Sequence, residues 1–125
     1  MNYSYIKEYA NDIYRILGPG HSERIYHNAM EVILRKNHIP YETERIVPIY
    51  FEEHVIGNMR ADIIVDGKIV LELKAVKSLN ISMEWQALNY LKQTGIEHAL
   101  LVNFPQTQAT SCECVDIDRC KETSS

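Results

Sequence analysis

Between Tyr3 and Leu17, Ile6, Tyr9, Ala10, Ile13 and Leu17 recur at helical spacing, and Gly18-Pro19-Gly20 then stops the run. A second helix is predicted from about Ser22 to Asn37, with Ile25, Ala29, Val32 and Ile33 as its core stripe, Ser22 as N-cap and Pro40 ending the connection. The pattern then becomes strand-like. Glu44 to Phe51 carries Ile46, Val47, Ile49, Tyr50 and Phe51, and Pro48 within it argues for an edge strand or a break. Val55-Ile56 is short. Arg60 to Val65 and Lys68 to Val76 read as two strong strands around Asp66-Gly67, and the run Ile63-Ile64-Val65 suggests burial on both faces. A third helix starts at Asn80 or Ser82 and reaches Thr94, with Ile81, Trp85, Leu88 and Leu91 on one face and Gly95 as its stop. His98 to Phe104 is a further strand, and Cys114 to Ile117 a short last one. Helix, helix, several strands, helix, strand is the order of an α/β domain with a mixed sheet.

The bulk properties narrow the class. The chain has 125 residues, 46% of them apolar and 24% charged, which fits one domain with a single core. No apolar run approaches the roughly 20 residues of a membrane-spanning helix, and Met1 to Tyr5 lacks the form of a signal peptide. The expectation is an intracellular protein, cytoplasmic or nuclear, with no membrane contact. Cys112, Cys114 and Cys120 lie near the C-terminus, odd in number and without zinc spacing, and read as free thiols. Residues from Pro105 onward form a polar extension. The net charge of −4 counts weakly against a general nucleic-acid binder, which is usually basic.

Charged groups punctuate the central apolar strands. Asp62 follows Arg60-Ala61, and Glu72-Leu73-Lys74 lies ten residues on. Charged side chains are rarely buried without a partner or a metal. In a strand, Glu72 and Lys74 point to one face. Whether Asp62 joins them depends on register. A two-residue Asp66-Gly67 turn pairs Val65 with Lys68 and turns Asp62 away. A three-residue loop, Val65-Asp66-Gly67, pairs Ile64 with Lys68 and Asp62 with Val70, on the face of Glu72. That bulged geometry, or an equivalent bulge, is the expectation. Two carboxylates and the Leu73 carbonyl between them suit a hard cation such as Mg2+ or Mn2+, with Lys74 beside a metal-bound water. The same charges also make sense as cross-strand salt bridges.

The surrounding residues resemble a known family. Gly20-His21-Ser22-Glu23-Arg24-Ile25-Tyr26 matches the pattern GxxExxY, and with Gly18-Pro19 before it resembles the signature of the GxxExxY proteins of the PD-(D/E)xK nuclease superfamily. The resemblance extends through Arg60-Ala61-Asp62, Glu72-Leu73-Lys74-Ala75-Val76, and Gln86 and Tyr90, covering about Tyr3 to Phe104. It implies a restriction-endonuclease-like core, a central mixed β-sheet flanked by helices (αβββαβ), in a domain spanning 1–104 with 105–125 as an extension. It implies that Asp62, Glu72 and Lys74 are the catalytic triplet, and that Glu23 is a further acidic ligand or organiser. Gln86 and Tyr90 would line the cleft and contact metal-bound water or phosphate.

The implied activity is a divalent-metal-dependent nuclease acting on nucleic acid, with DNA as the expected substrate. The alternative is a non-cleaving module that binds nucleic acid or protein through the same cleft, and a homodimer or a partner protein is a further option.

Local physics leaves several roles open. Glu23 is favoured at its helix start by the dipole, yet could merely decorate it. Tyr90 could be ordinary packing. Arg60 could reach phosphate or pair with Glu72. Tyr26 and His21, close to Glu23, count as candidate substrate contacts. Trp85 reads as core, and His27, His38, His54 and His98 mostly as solvated surface.

Overall fold

The computed structural model describes residues 3–119. Helix α1 (Ser4–Leu17) and helix α2 (Glu23–Lys36) are followed by strands β1 (Tyr41–Thr43), β2 (Ile46–Phe51), β3 (His54–Arg60), β4 (Ile63–Val65) and β5 (Ile69–Lys74). Helix α3 (Ile81–Thr94), β6 (His98–Asn103) and β7 (Glu113–Asp118) complete the order. Five strands form the main sheet in the order β1-β4-β5-β6-β7, and β2 and β3 form a separate hairpin. Among the described residues only β5 and β6 pair in parallel, and α3 supplies the crossover that parallel neighbours require. The domain is therefore α/β with a mixed sheet flanked by helices, as the order of elements predicts.

The sheet separates two cores by simple alternation. Ile69, Leu71 and Leu73 of β5, with Ile63, Val65, Leu100 and Val102, pack against α1 and α2. Val70, Ile64, Ala99 and Leu101 pack against Ala87, Tyr90 and Leu91 of α3. Each strand position thus belongs to one side or the other, with a period of two.

Helix ends follow local chemistry most clearly in α3. Asn80 caps α3, its Oδ1 accepting from the Met83 N–H at 3.1 Å. Gly95 ends the helix with a left-handed φ of 79°, a conformation that costs a glycine little. Ser22 occupies the N-cap of α2 but makes no side-chain capping bond.

Two helical stripes differ from the sequence expectation. In α2 the buried face is Tyr26, His27, Met30 and Leu34, while Ile25 is 43% and Val32 47% exposed. Apolar residues occupy two sides of this helix, so periodicity alone did not fix its phase. Ala29 and Ile33 still pack at the margin of the core. In α3, Trp85 is 54% exposed and Ala87, Tyr90 and Leu91 form the core contact. The chain from Arg60 to Val65 is not one strand either. Arg60 ends β3, and Ala61-Asp62 separates it from β4.

Register across that break is continuous. Thr43 lies opposite Ile63 and Ile46 opposite Arg60, which places Glu44 and Arg45 opposite Asp62 and Ala61. The Glu44 N–H donates to the Asp62 carbonyl and the Ala61 N–H to the Arg45 carbonyl, both at 3.1 Å. β1–β2 and β3–β4 are therefore the two sides of one long ribbon. It kinks at Glu44 and Asp62, leaving the main sheet there to form the hairpin.

Cys112 and Cys114 are free thiols packed against the α1 side of the core rather than loose in a tail. Burial pushes the Cys112 thiol up to about 12, which leaves it protonated and unreactive at neutral pH. Cys120 lies outside the described residues. No helix among the described residues is long and apolar enough to cross a membrane.

Candidate active site

The β4–β5 connection decides the site. Val65 pairs with Ile69 and Ile64 with Val70. The connecting loop is Asp66-Gly67-Lys68, one residue further along than the predicted loop, so the predicted pairing of Asp62 with Val70 is replaced by Asp62 opposite Glu72. The parity is nevertheless the one required. Asp62, Glu72 and Lys74 share the α3 side of the sheet. Asp66 and Gly67 both adopt positive φ (54° and 64°), and the Lys68 N–H closes the turn on the Val65 carbonyl at 3.0 Å.

One cavity of about 500 Å³ gathers Asn58, Met59, Arg60, Asp62, Glu72, Lys74, Gln86 and Tyr90. Its floor is the end of β5, one wall is the β3 side of the hairpin, and the other is α3. Asp62 also lines a second recess, of about 240 Å³, with Glu23, Arg24 and His27. The two recesses meet at Asp62, and Asp62 Oδ2 is held by the Leu73 N–H at 2.8 Å. A backbone donor thus fixes one oxygen of the carboxylate.

The electrostatics report crowding. Burial, then the neighbouring Asp62 carboxylate, pushes the Glu72 carboxyl up to about 8, against the opposing pull of Lys74. Glu23 is raised for the same reasons, burial first and Asp62 second, with Lys74, His27 and Arg24 pulling the other way. Tyr90 is raised mainly by burial, and Glu72 adds to the shift. Its hydroxyl is buried without a hydrogen-bond partner among the described residues, although the ring lines the cavity. An unpaired buried hydroxyl is costly.

Among the described residues no three His, Cys, Asp or Glu groups stand together as a ready metal cluster. The donor set still fits a hard divalent cation. Magnesium is commonly held by one or two carboxylates, with waters and substrate phosphate completing the shell, rather than by an all-protein cage. Asp62 and Glu72 supply such a pair, and their mutual repulsion is what a cation relieves.

Not every candidate reaches the cleft. Tyr26 is fully buried, stacks on Phe104 at 4.2 Å between ring centroids and donates its hydroxyl to the Gly18 carbonyl at 2.6 Å. It anchors the loop ahead of α2 and lines neither recess. His21 lines neither recess; its ring packs edge-on against Tyr26, with Nε2 3.2 Å from the Leu17 carbonyl. Arg60 lines the large cavity and makes no ion pair with Glu72. Sequence reasoning missed four residues of the two recesses: Asn58, Met59, Arg24 and His27. Asn58 and Arg60 alternate along β3, so the period of two was the available signal. His27 is only 4% exposed, with Nε2 2.8 Å from Glu31 Oε2. It stands one helical turn after Glu23, a spacing that could have marked it.

Comparison with known proteins bears on the family and the fold. No curated protein matches the chain. The crystal structure of SSO0001 superimposes with a TM-score of 0.60 at 26% identity, over 76% of this chain and 48% of that one, so the present chain spans about half its length. An alkaline exonuclease from Laribacter hongkongensis is a more distant likeness, with a TM-score of 0.46 at 10% identity over 92% of this chain and 78% of that one. Residues 2–115 match the family described as the PD-(D/E)XK nuclease superfamily. The chain, whose Asp62, Glu72 and Lys74 meet in one cleft, belongs to the PD-(D/E)XK nuclease superfamily.

Proposed function

We propose that this protein is a nuclease of the GxxExxY type that hydrolyses phosphodiester bonds of DNA with Mg2+ or Mn2+. The observation that carries the reading is the convergence of Asp62, Glu72 and Lys74 on one cavity faced by Gln86 and Tyr90. In this proposal Asp62, Glu72 and the Leu73 carbonyl hold the cation, and Glu23 contributes from the adjoining recess. A divalent ion bound there neutralises charge on the phosphate and makes a coordinated water easier to deprotonate. Lys74 orients the attacking water and stabilises the negative charge as its proton passes to solvent. Gln86 positions that water or a phosphate oxygen. The Tyr90 hydroxyl, which has no partner among the described residues, donates to phosphate, and Arg60 binds the backbone beside the scissile bond.

Protein incubated with single-stranded DNA, duplex DNA or RNA and Mg2+ or Mn2+ should cut DNA and lose that activity in EDTA. Asp62→Asn and Lys74→Ala should each reduce cleavage roughly a hundredfold or more. The net charge of −4 favours a second reading, a module that binds through the same cleft without cutting. Metal-dependent binding with no cleavage by the wild type would support that reading and overturn the first.

A further inference from the structure

Two of the proposed acidic ligands come from separate segments, and their like charges repel. Glu23 sits in the first turn of α2, and Asp62 at the kink of the β1–β2/β3–β4 ribbon. Among the described residues one ion pair joins the two segments. Arg24, next to Glu23, pairs with Glu44, whose backbone N–H bonds to the Asp62 carbonyl. Glu44 is also strained, a non-glycine residue at a φ of 55°. Residues held in this region persist when their surroundings fix them, and among the described residues the Arg24 guanidinium is the hydrogen-bonded side-chain partner of Glu44.

We propose that the Arg24–Glu44 ion pair is a latch: it pins the kinked ribbon to the start of α2 and so sets the spacing of the Glu23 and Asp62 carboxylates for a shared cation. Both residues are positioning residues. Arg24 borders the recess that Glu23 and Asp62 line, so the latch closes directly beside the carboxylates it aligns. The proposal rests on the nuclease reading of the site.

Direction of effect separates a latch from a field effect. Removing Arg24 takes positive charge away from an acidic site, which through space alone tightens cation binding. Removing the Glu44 carboxylate weakens it through space. A latch makes both changes weaken binding.

The test is Mn2+ affinity by isothermal titration calorimetry, with metal-free melting temperatures alongside. The set is wild type, Arg24→Gln, Arg24→Lys, Glu44→Asn, the Arg24→Gln/Glu44→Asn double variant and Asp62→Asn. Asparagine tolerates positive φ, so Glu44→Asn removes the charge without adding backbone strain. Each of Arg24→Gln and Glu44→Asn should raise the Kd about three- to fivefold, the scale of one exposed ion pair. The double variant should be no weaker than either single, and Arg24→Lys should stay close to wild type. Tighter binding by Arg24→Gln, no change in Glu44→Asn, or losses that add in the double variant would each overturn the latch. If wild type binds Mn2+ no better than Asp62→Asn, the metal-site reading itself fails. If wild type binds and Asp62→Asn does not, while the latch variants match wild type, only the latch is lost.

Discussion

The two faces of β5 make opposite use of the same strand. Toward α1 and α2, Ile69, Leu71 and Leu73 are all buried among aliphatic and aromatic side chains. Toward α3, Val70 starts a similar core, but Glu72 and Lys74 follow, and the contact opens into a cleft. One face holds the domain together. The other gives up burial where ligands must enter. Stability and chemistry thus sit one residue apart, and substitutions at neighbouring positions should differ in kind.

The dry face should show the largest stability loss. Leu71→Ala leaves a cavity in a close-packed core and should cost about 2–5 kcal/mol, read as a fall in the denaturation midpoint at unchanged m-value. A loss well under 1 kcal/mol would mean that this face is not the principal core.

The cleft face should respond with the opposite sign. Without added metal, Glu72 keeps its proton in the folded state up to about pH 8, while in the unfolded chain it ionises near 4.5. Below about 4.5 both states are protonated and burial of the group adds no penalty. Between the two values the unfolded state has released its proton and the folded state has not, so stability falls as pH rises and levels off above 8. Glu72→Gln should flatten that profile and stabilise the metal-free protein at pH 8, on the order of a few kcal/mol. Chemical denaturation across pH 4–9 measures both. A wild-type profile that rises with pH over this range would contradict the crowding.

Tyr90 should give the smallest effect. Tyr90→Phe removes a buried hydroxyl that has no partner among the described residues, so thermal melting should be unchanged or slightly improved, within about 1 kcal/mol. A clear destabilisation would point to a water or side chain that satisfies the hydroxyl in the free protein.

Much of this division could be read in the sequence. Apolar alternation located β5, and the interruption by Glu72 and Lys74 marked the open end of one face. The face of Asp62 was also accessible, because only an odd-numbered loop around Asp66-Gly67 brings it beside Glu72. The pairing itself was offset, since several loops near Gly67 give the same parity. What sequence could not supply was set by tertiary contacts. Helical spacing puts Trp85 on one face with Ile81, Leu88 and Leu91, but the small Ala87 and the long Tyr90 are what fit the sheet. The kink at Glu44 has no signature in local propensity. It emerges only when the ribbon must leave the main sheet while its backbone bonds to Asp62 and Ala61 are kept.

The Asp66-Gly67-Lys68 connection carries a consequence for how this chain can vary. Side chains change sides with every residue, so that loop counts in twos. Losing or gaining a single residue there, unless a bulge absorbs it, would swing Asp62 through to the aliphatic layer and bring an apolar neighbour out in its place. Relatives should therefore differ in that loop by even numbers, or carry a compensating irregularity between it and the aspartate.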